Sequence, residues 1–71
     1  MASDICVRVG RKIRKLRRAK GWSQQLLADH SNLERAHLSR LELGRREAGL
    51  RALERIAEAL GVEIEELVRR S

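Results

Sequence analysis

Apolar residues recur along this chain at helical spacing, in five stretches separated by short polar turns. Val9, Ile13 and Leu16 stand at i, i+4 and i+7 and predict a first helix over about residues 5–20, with Ser3 or Asp4 available to cap it. A second helix is expected over about 24–30. Ser23 is placed to be its N-cap, Trp22 and Leu27 occupy the two positions of a hydrophobic staple, and Leu27 and Ala28 point inward. A third is expected over about 35–43, with Leu38 and Leu41 buried. Leu50, Leu53, Ile56, Ala57 and Leu60 form one stripe and predict a fourth over 50–60. Ile64, Leu67 and Val68 predict a fifth over about 63–70, with Glu63, Glu65 and Glu66 at its positive end. Gly21, Gly44 and Gly61 each follow a helical stretch, where a left-handed residue ends a helix cheaply. The expected fold is all-α, one compact five-helix domain over residues 1–71.

Composition narrows what that domain can do. Aromatics are reduced to Trp22 and proline is absent, so the interior must be built from Leu, Ile, Val and Ala. The formal charge is +6, and it is unevenly spread. Residues 1–46 carry twelve basic and four acidic side chains, a net of +8, whereas residues 47–71 carry four and six, a net of −2. A basic N-terminal part suits a polyanion, and a mildly acidic C-terminal part suits a protein partner. Cys6 alone makes neither an internal disulfide nor a metal site. His30 and His37 fit no metal spacing with it, so no cofactor, metal or small-molecule ligand is expected, and no catalytic residue is assigned. The longest apolar run is three residues, so neither a signal peptide nor a membrane span is expected. A cytoplasmic protein is expected.

The stretch from Gln24 to Leu41 carries the functional signal. Two helices crossing steeply need a small residue where they touch, and Ala28 is there. Their turn needs a residue tolerant of positive φ, and Asn32 is there. Leu27, Leu33, Leu38 and Leu41 occupy the inward positions, which leaves the rest of the later helix free to face outward. With I-R-K-L-R-R-A-K-G-W-S-Q before it, and L-S-R-L-E-L-G-R-R and then L-x-x-I-A-x-A-L-G-V-x-I-x-E-L after it, the order and spacing resemble the phage-repressor (lambda repressor and Cro, XRE-type) family of helix-turn-helix proteins. In size the chain is similar to the controller proteins of restriction–modification systems. Three positions depart from the family pattern: Asn32 replaces the turn glycine, Glu34 replaces the serine or threonine that caps the recognition helix, and Glu47-Ala48-Gly49 replaces Asn-Pro-Ser.

The resemblance implies a lambda-repressor-like fold and a transcriptional regulator of double-stranded DNA, repressors included, with no enzymatic activity. It places Glu34, Arg35, Ala36 and Arg40 on base edges in the major groove. Arginine pairs in bidentate fashion with guanine, alanine touches a thymine methyl, and Glu34 either repels a phosphate or accepts from a cytosine amino group. Ser23, Gln24, His37, Ser39, Arg45 and Arg46 are expected on the DNA backbone. Gln24 can also brace the recognition helix. The resemblance further implies a structural ion pair between Arg17 and Glu42, bridging helices one and three. Arg11, Arg14 and Arg18 lie three or four apart on one side of helix one, a basic face expected to be partly in contact with the DNA backbone and partly solvated, with none of the three singled out for a phosphate.

One module reads about half a turn of DNA, so a homodimer on an inverted-repeat operator is expected. Val62, Ile64, Leu67 and Val68 exceed the needs of a small core and are assigned to its interface, with the loop before helix four contributing. The alternative is an antitoxin or coactivator-like protein-interaction module that binds DNA secondarily. RNA binding is disfavoured, because no aromatic platform exists for stacking bases.

Overall fold

The computed structural model describes residues 4–70 of the chain, with the Asp4 side chain excepted. Ser3 and the Asp4 carboxylate, the expected caps of helix one, therefore lie outside the described residues. Five helices follow one another: α1 (Asp4–Ala19), α2 (Gln24–Ser31), α3 (Arg35–Glu42), α4 (Leu50–Leu60) and α5 (Ile64–Val68). No strand occurs among the described residues. The expected boundaries hold to within a residue or so for the first four. The fifth helix is shorter than expected. Glu63 is its cap, and Arg69 is already extended, while the Arg8 guanidinium Nη2 donates to the Val68 carbonyl at 3.0 Å and ties the helix end to α1.

The core draws on every helix. Val9 and Ile13 of α1, Leu27 and Ala28 of α2, Leu38 and Leu41 of α3, Leu53, Ile56, Ala57 and Leu60 of α4, and Leu67 of α5 form one buried cluster. Leu16, Trp22, Leu33, Val62, Ile64 and Val68 pack against its edge. Helix α2 lies against α3 and α4, while α1 lies against α3 and α5. Helix α3 is thus supported on one side by two helices and open on the other.

Two features of the sequence fix how α3 is held. Gly10, inside α1, faces the end of α3, where a Cβ would come 2.3 Å from the Leu41 carbonyl oxygen and 2.7 Å from that of Glu42. Only hydrogen fits that approach. Gly44 ends α3 at φ +73, and a Cβ there would also come 2.9 Å from the Val7 Cα. It must be glycine for both conformation and space.

One residue of the α4 stripe lies outside the core. Leu50 is 79% exposed, although the stripe of α4 includes it. It is the first residue of α4, one turn before Leu53, where the buried part of the stripe begins. The position lies beyond the helices that cover the rest.

Candidate nucleic-acid interface

Helix α2 begins as its sequence dictates. Ser23 is extended at φ −75, ψ 165, and its Oγ accepts from the Leu26 amide at 3.0 Å. Trp22, just before it, is half-buried against the cluster that contains Leu27, as a staple requires. The indole also stacks on the His30 imidazole, with centroids 4.6 Å apart and planes 20° from parallel, and the Lys20 Nζ stands 4.9 Å from its ring centre. Asn32 ends α2 in the left-handed conformation, φ 56, ψ 43. The Leu33 amide donates back to the Ala28 carbonyl at 2.9 Å, which closes the turn into α3.

Helix α3 divides cleanly between its two sides. Leu38, Leu41 and Glu42 are buried. Glu34, Arg35, Ala36 and Arg40 are exposed, and His37 and Ser39 are half-buried beside them. Arg45 and Arg46 follow in the exposed loop. The four residues assigned to bases therefore share the outward part of α3 and the turn before it, away from the core. Glu34 is the N-cap by conformation, yet its side chain makes no capping bond. The start of α3 is consequently open, with its first amides unoccupied by a side chain.

The position of α3 is set by a buried polar cluster. Arg17 Nε donates to Glu42 Oε2 at 2.7 Å and Arg17 Nη2 to Glu42 Oε1 at 2.9 Å, a two-pronged pair that joins α1 to α3. Arg17 Nη1 donates to the Trp22 carbonyl at 2.8 Å, and Gln24 Nε2 donates to Glu42 Oε1 at 3.0 Å. Two helices and the α2 start thus converge on one carboxylate. The hydrogen bonds to Glu42 raise the Arg17 pKa above its ordinary value, burial works against them, and the charge of Glu42 adds to the rise. Arg17 is a permanent cation in this site. Gln24 braces the α3 end with its amide, as the sequence reading allowed.

Other contacts were not foreseen. Gly10 escaped notice as a packing residue, although a glycine inside a helix costs about 1 kcal/mol against alanine and signals a close approach. The Arg8 tether to Val68 and the Lys12–Glu66 ion pair at 3.6 Å join α1 to α5 and left no periodic trace in the sequence.

The residues assigned to self-association are not equivalent. Leu67 is wholly buried inside its own bundle, so it has no surface to offer and is a core residue. Val62 and Ile64 are half-buried against the cluster. Val68 lines an open groove of about 220 Å³ with Ile5, Cys6, Val9 and Ala48, beside the Arg46–Glu47 loop. Among the described residues no group of His, Cys, Asp and Glu could hold a metal ion. Among the described residues, too, no helix is long and apolar enough to cross a membrane.

Comparison with known proteins accords with this arrangement. Residues 13–67 match the helix-turn-helix family. The control protein C.MunI of Mycoplasma sp. is 39% identical over 66 residues, covering 92% of this chain and 89% of that one. The control protein C.BamHI of Bacillus amyloliquefaciens is 36% identical over 69 residues, covering 96% and 85%. The crystal structure of the restriction-modification controller protein C.AhdI from Aeromonas hydrophila superposes with a TM-score of 0.85 at 40% identity, over 87% of this chain and 94% of that one. With its α2–α3 unit matched over the same residues that build the open face, the chain belongs to the XRE-type helix-turn-helix family of DNA-binding transcriptional regulators and is similar to its restriction–modification controllers.

Proposed function

We propose that this protein binds a specific inverted-repeat operator as a homodimer, with α3 of each protomer in the major groove. The observation that carries this is the division of α3. Its inner side is locked by Leu38, Leu41 and the Arg17–Glu42 pair, while Arg35, Ala36 and Arg40 stand free on the outer side. Arg35 and Arg40 read guanine edges through O6 and N7, and Ala36 meets a thymine methyl. Glu34, at the α3 cap, discriminates by accepting from cytosine. The capped start of α2, with Ser23 and Gln24, takes a backbone phosphate on its free amides. His37, Ser39, Arg45 and Arg46 set the register by further contacts to phosphate and sugar. Such a regulator works in the cytoplasm, on bacterial or phage-type DNA.

The second protomer follows from the size of one reading head, which spans a single half-site. The surface that suits it is the groove at Ile5, Ala48 and Val68, together with exposed Leu50 at the start of α4, two residues after Ala48. Ile5 is 48% and Leu50 79% exposed. An interface there uses Val68, one of the apolar residues that the sequence assigns to self-association, and gives Leu50 a partner.

The test is selection from a random duplex pool near physiological salt. An inverted repeat with half-site centres about 10 base pairs apart is the expected product. Arg35→Ala should relax the preference at one base pair of each half-site, a loss of about 1–3 kcal/mol of discrimination. General affinity that falls with salt and enriches no sequence would overturn the reading.

A further inference from the structure

A second feature of the molecule points to a part of the DNA contact that α3 and α2 do not supply. Between α1, α2 and α3 lies an open groove of about 290 Å³, lined by Arg14, Arg17, Arg18, Gln24, Ser39, Glu42 and Leu43. Its charges are unequal. Glu42 is already held by Arg17 and Gln24, so its carboxylate is neutralised from below. Arg14 and Arg18 are exposed, one helical turn apart, and neither is paired with a carboxylate among the described residues. The groove therefore keeps two uncompensated cations above a neutral floor. It also shares Gln24 and Ser39 with the surface assigned to DNA. Arg11, on the same side of α1, does not line it.

We propose that this groove seats a backbone phosphate of the duplex that α3 reads, with Arg14 and Arg18 as its two cationic arms. The inference rests on the duplex-binding function above and extends the footprint onto α1. Two guanidiniums one turn apart can close on one phosphodiester from opposite sides, while the Ser39 hydroxyl and Gln24 belong to the facing wall. Because the contact is to phosphate, it adds affinity and fixes the angle at which α1 approaches the DNA, without adding sequence preference.

The experiment measures equilibrium binding of the full chain to its selected duplex across a salt series. The variants are Arg14→Gln, Arg18→Gln, the double variant, and Arg55→Gln, which removes an equal charge from exposed α4 outside the groove. Glutamine keeps helix propensity, and neither groove arginine supports the core, so all should fold. The double variant should make the slope of log K against log salt shallower by about 0.9, the loss of one phosphate contact, and each single groove variant by part of that, with the base preference unchanged. Lysine at both positions should restore the slope. In parallel, single phosphates of the duplex are replaced by neutral methylphosphonates. One replacement should weaken the wild type and leave the double variant unaffected. Arg55→Gln flattening the slope as much as the double variant would overturn the proposal, since the effect would be one of overall charge. So would equal losses for wild type and double variant at every phosphate. If the wild type prefers no sequence at all, operator reading fails, and the same comparison on any duplex still decides the groove.

Discussion

At the scale of single residues, Glu42 is where the sequence commits the fold. Its carboxylate accepts two bonds from Arg17 and one from Gln24, and its side chain is 2% exposed. A buried charge left without its partner is expensive, so removing one member costs more than the pair contributes. Arg17→Met is expected to lower stability by about 3–5 kcal/mol, and Glu42→Gln by less, since an amide carbonyl still accepts a bond. In a double-mutant cycle followed by denaturant unfolding, the two changes should be strongly coupled. Additive losses would mean that the pair is incidental to the placement of α3. This pair was legible in the sequence through the family pattern alone, because charges 25 residues apart leave no local signature. Gly10 was legible in principle and was overlooked.

At the scale of elements, the helices and turns were readable where local chemistry decides them. Ser23 caps, Asn32 turns left-handed, and the three expected glycines end their helices at φ between +73 and +74. What local chemistry leaves open is which end of an apolar stripe meets a neighbour. Leu50 and Leu67 carry the same kind of signal, and the fold buries the second while exposing the first. That outcome depends on where other helices stop. The α3 start offers a direct test of element-level reasoning. Glu34 has the extended backbone of a cap and no capping bond. Glu34→Ser should supply one and raise stability by about 0.5–2 kcal/mol, visible as a higher thermal midpoint. The same change should alter base preference next to the recognition helix, which would separate the function of Glu34 from its poor capping. An unchanged midpoint would show that the α3 start is already satisfied by other means.

At the scale of the whole molecule, the charge asymmetry and the apolar surface divide the bundle into two working ends. The α3 face and the α1 groove carry unpaired arginines, and the opposite region around α5 carries Glu63, Glu65 and Glu66. Lys12 and Arg69 each pair with Glu66, so part of that acidic charge is used within the protomer. The apolar groove at Ile5, Ala48 and Val68 lies between these ends, next to the α4 start. Leu50→Glu is expected to convert the proposed dimer to a monomer in sedimentation at tens of micromolar, leaving helix content unchanged because Leu50 supports no core contact. Operator affinity should fall steeply while affinity for a single half-site persists. A variant that still sediments as a dimer would place the interface elsewhere on the bundle. A sequence can suggest that surplus apolar residues exist, as it did for α5, but only the fold shows which of them remain outside.

Trp22 gives this molecule an optical property as well as a structural one. It is the sole aromatic side chain apart from the histidines, with no tyrosine or phenylalanine beside it. It is stacked on His30, and its own carbonyl takes a bond from Arg17, one residue before the cap of α2. All intrinsic fluorescence therefore originates from one indole, stacked on an imidazole. The chain thus carries a label-free reporter at the turn between α1 and α2, sensitive to changes in that stack.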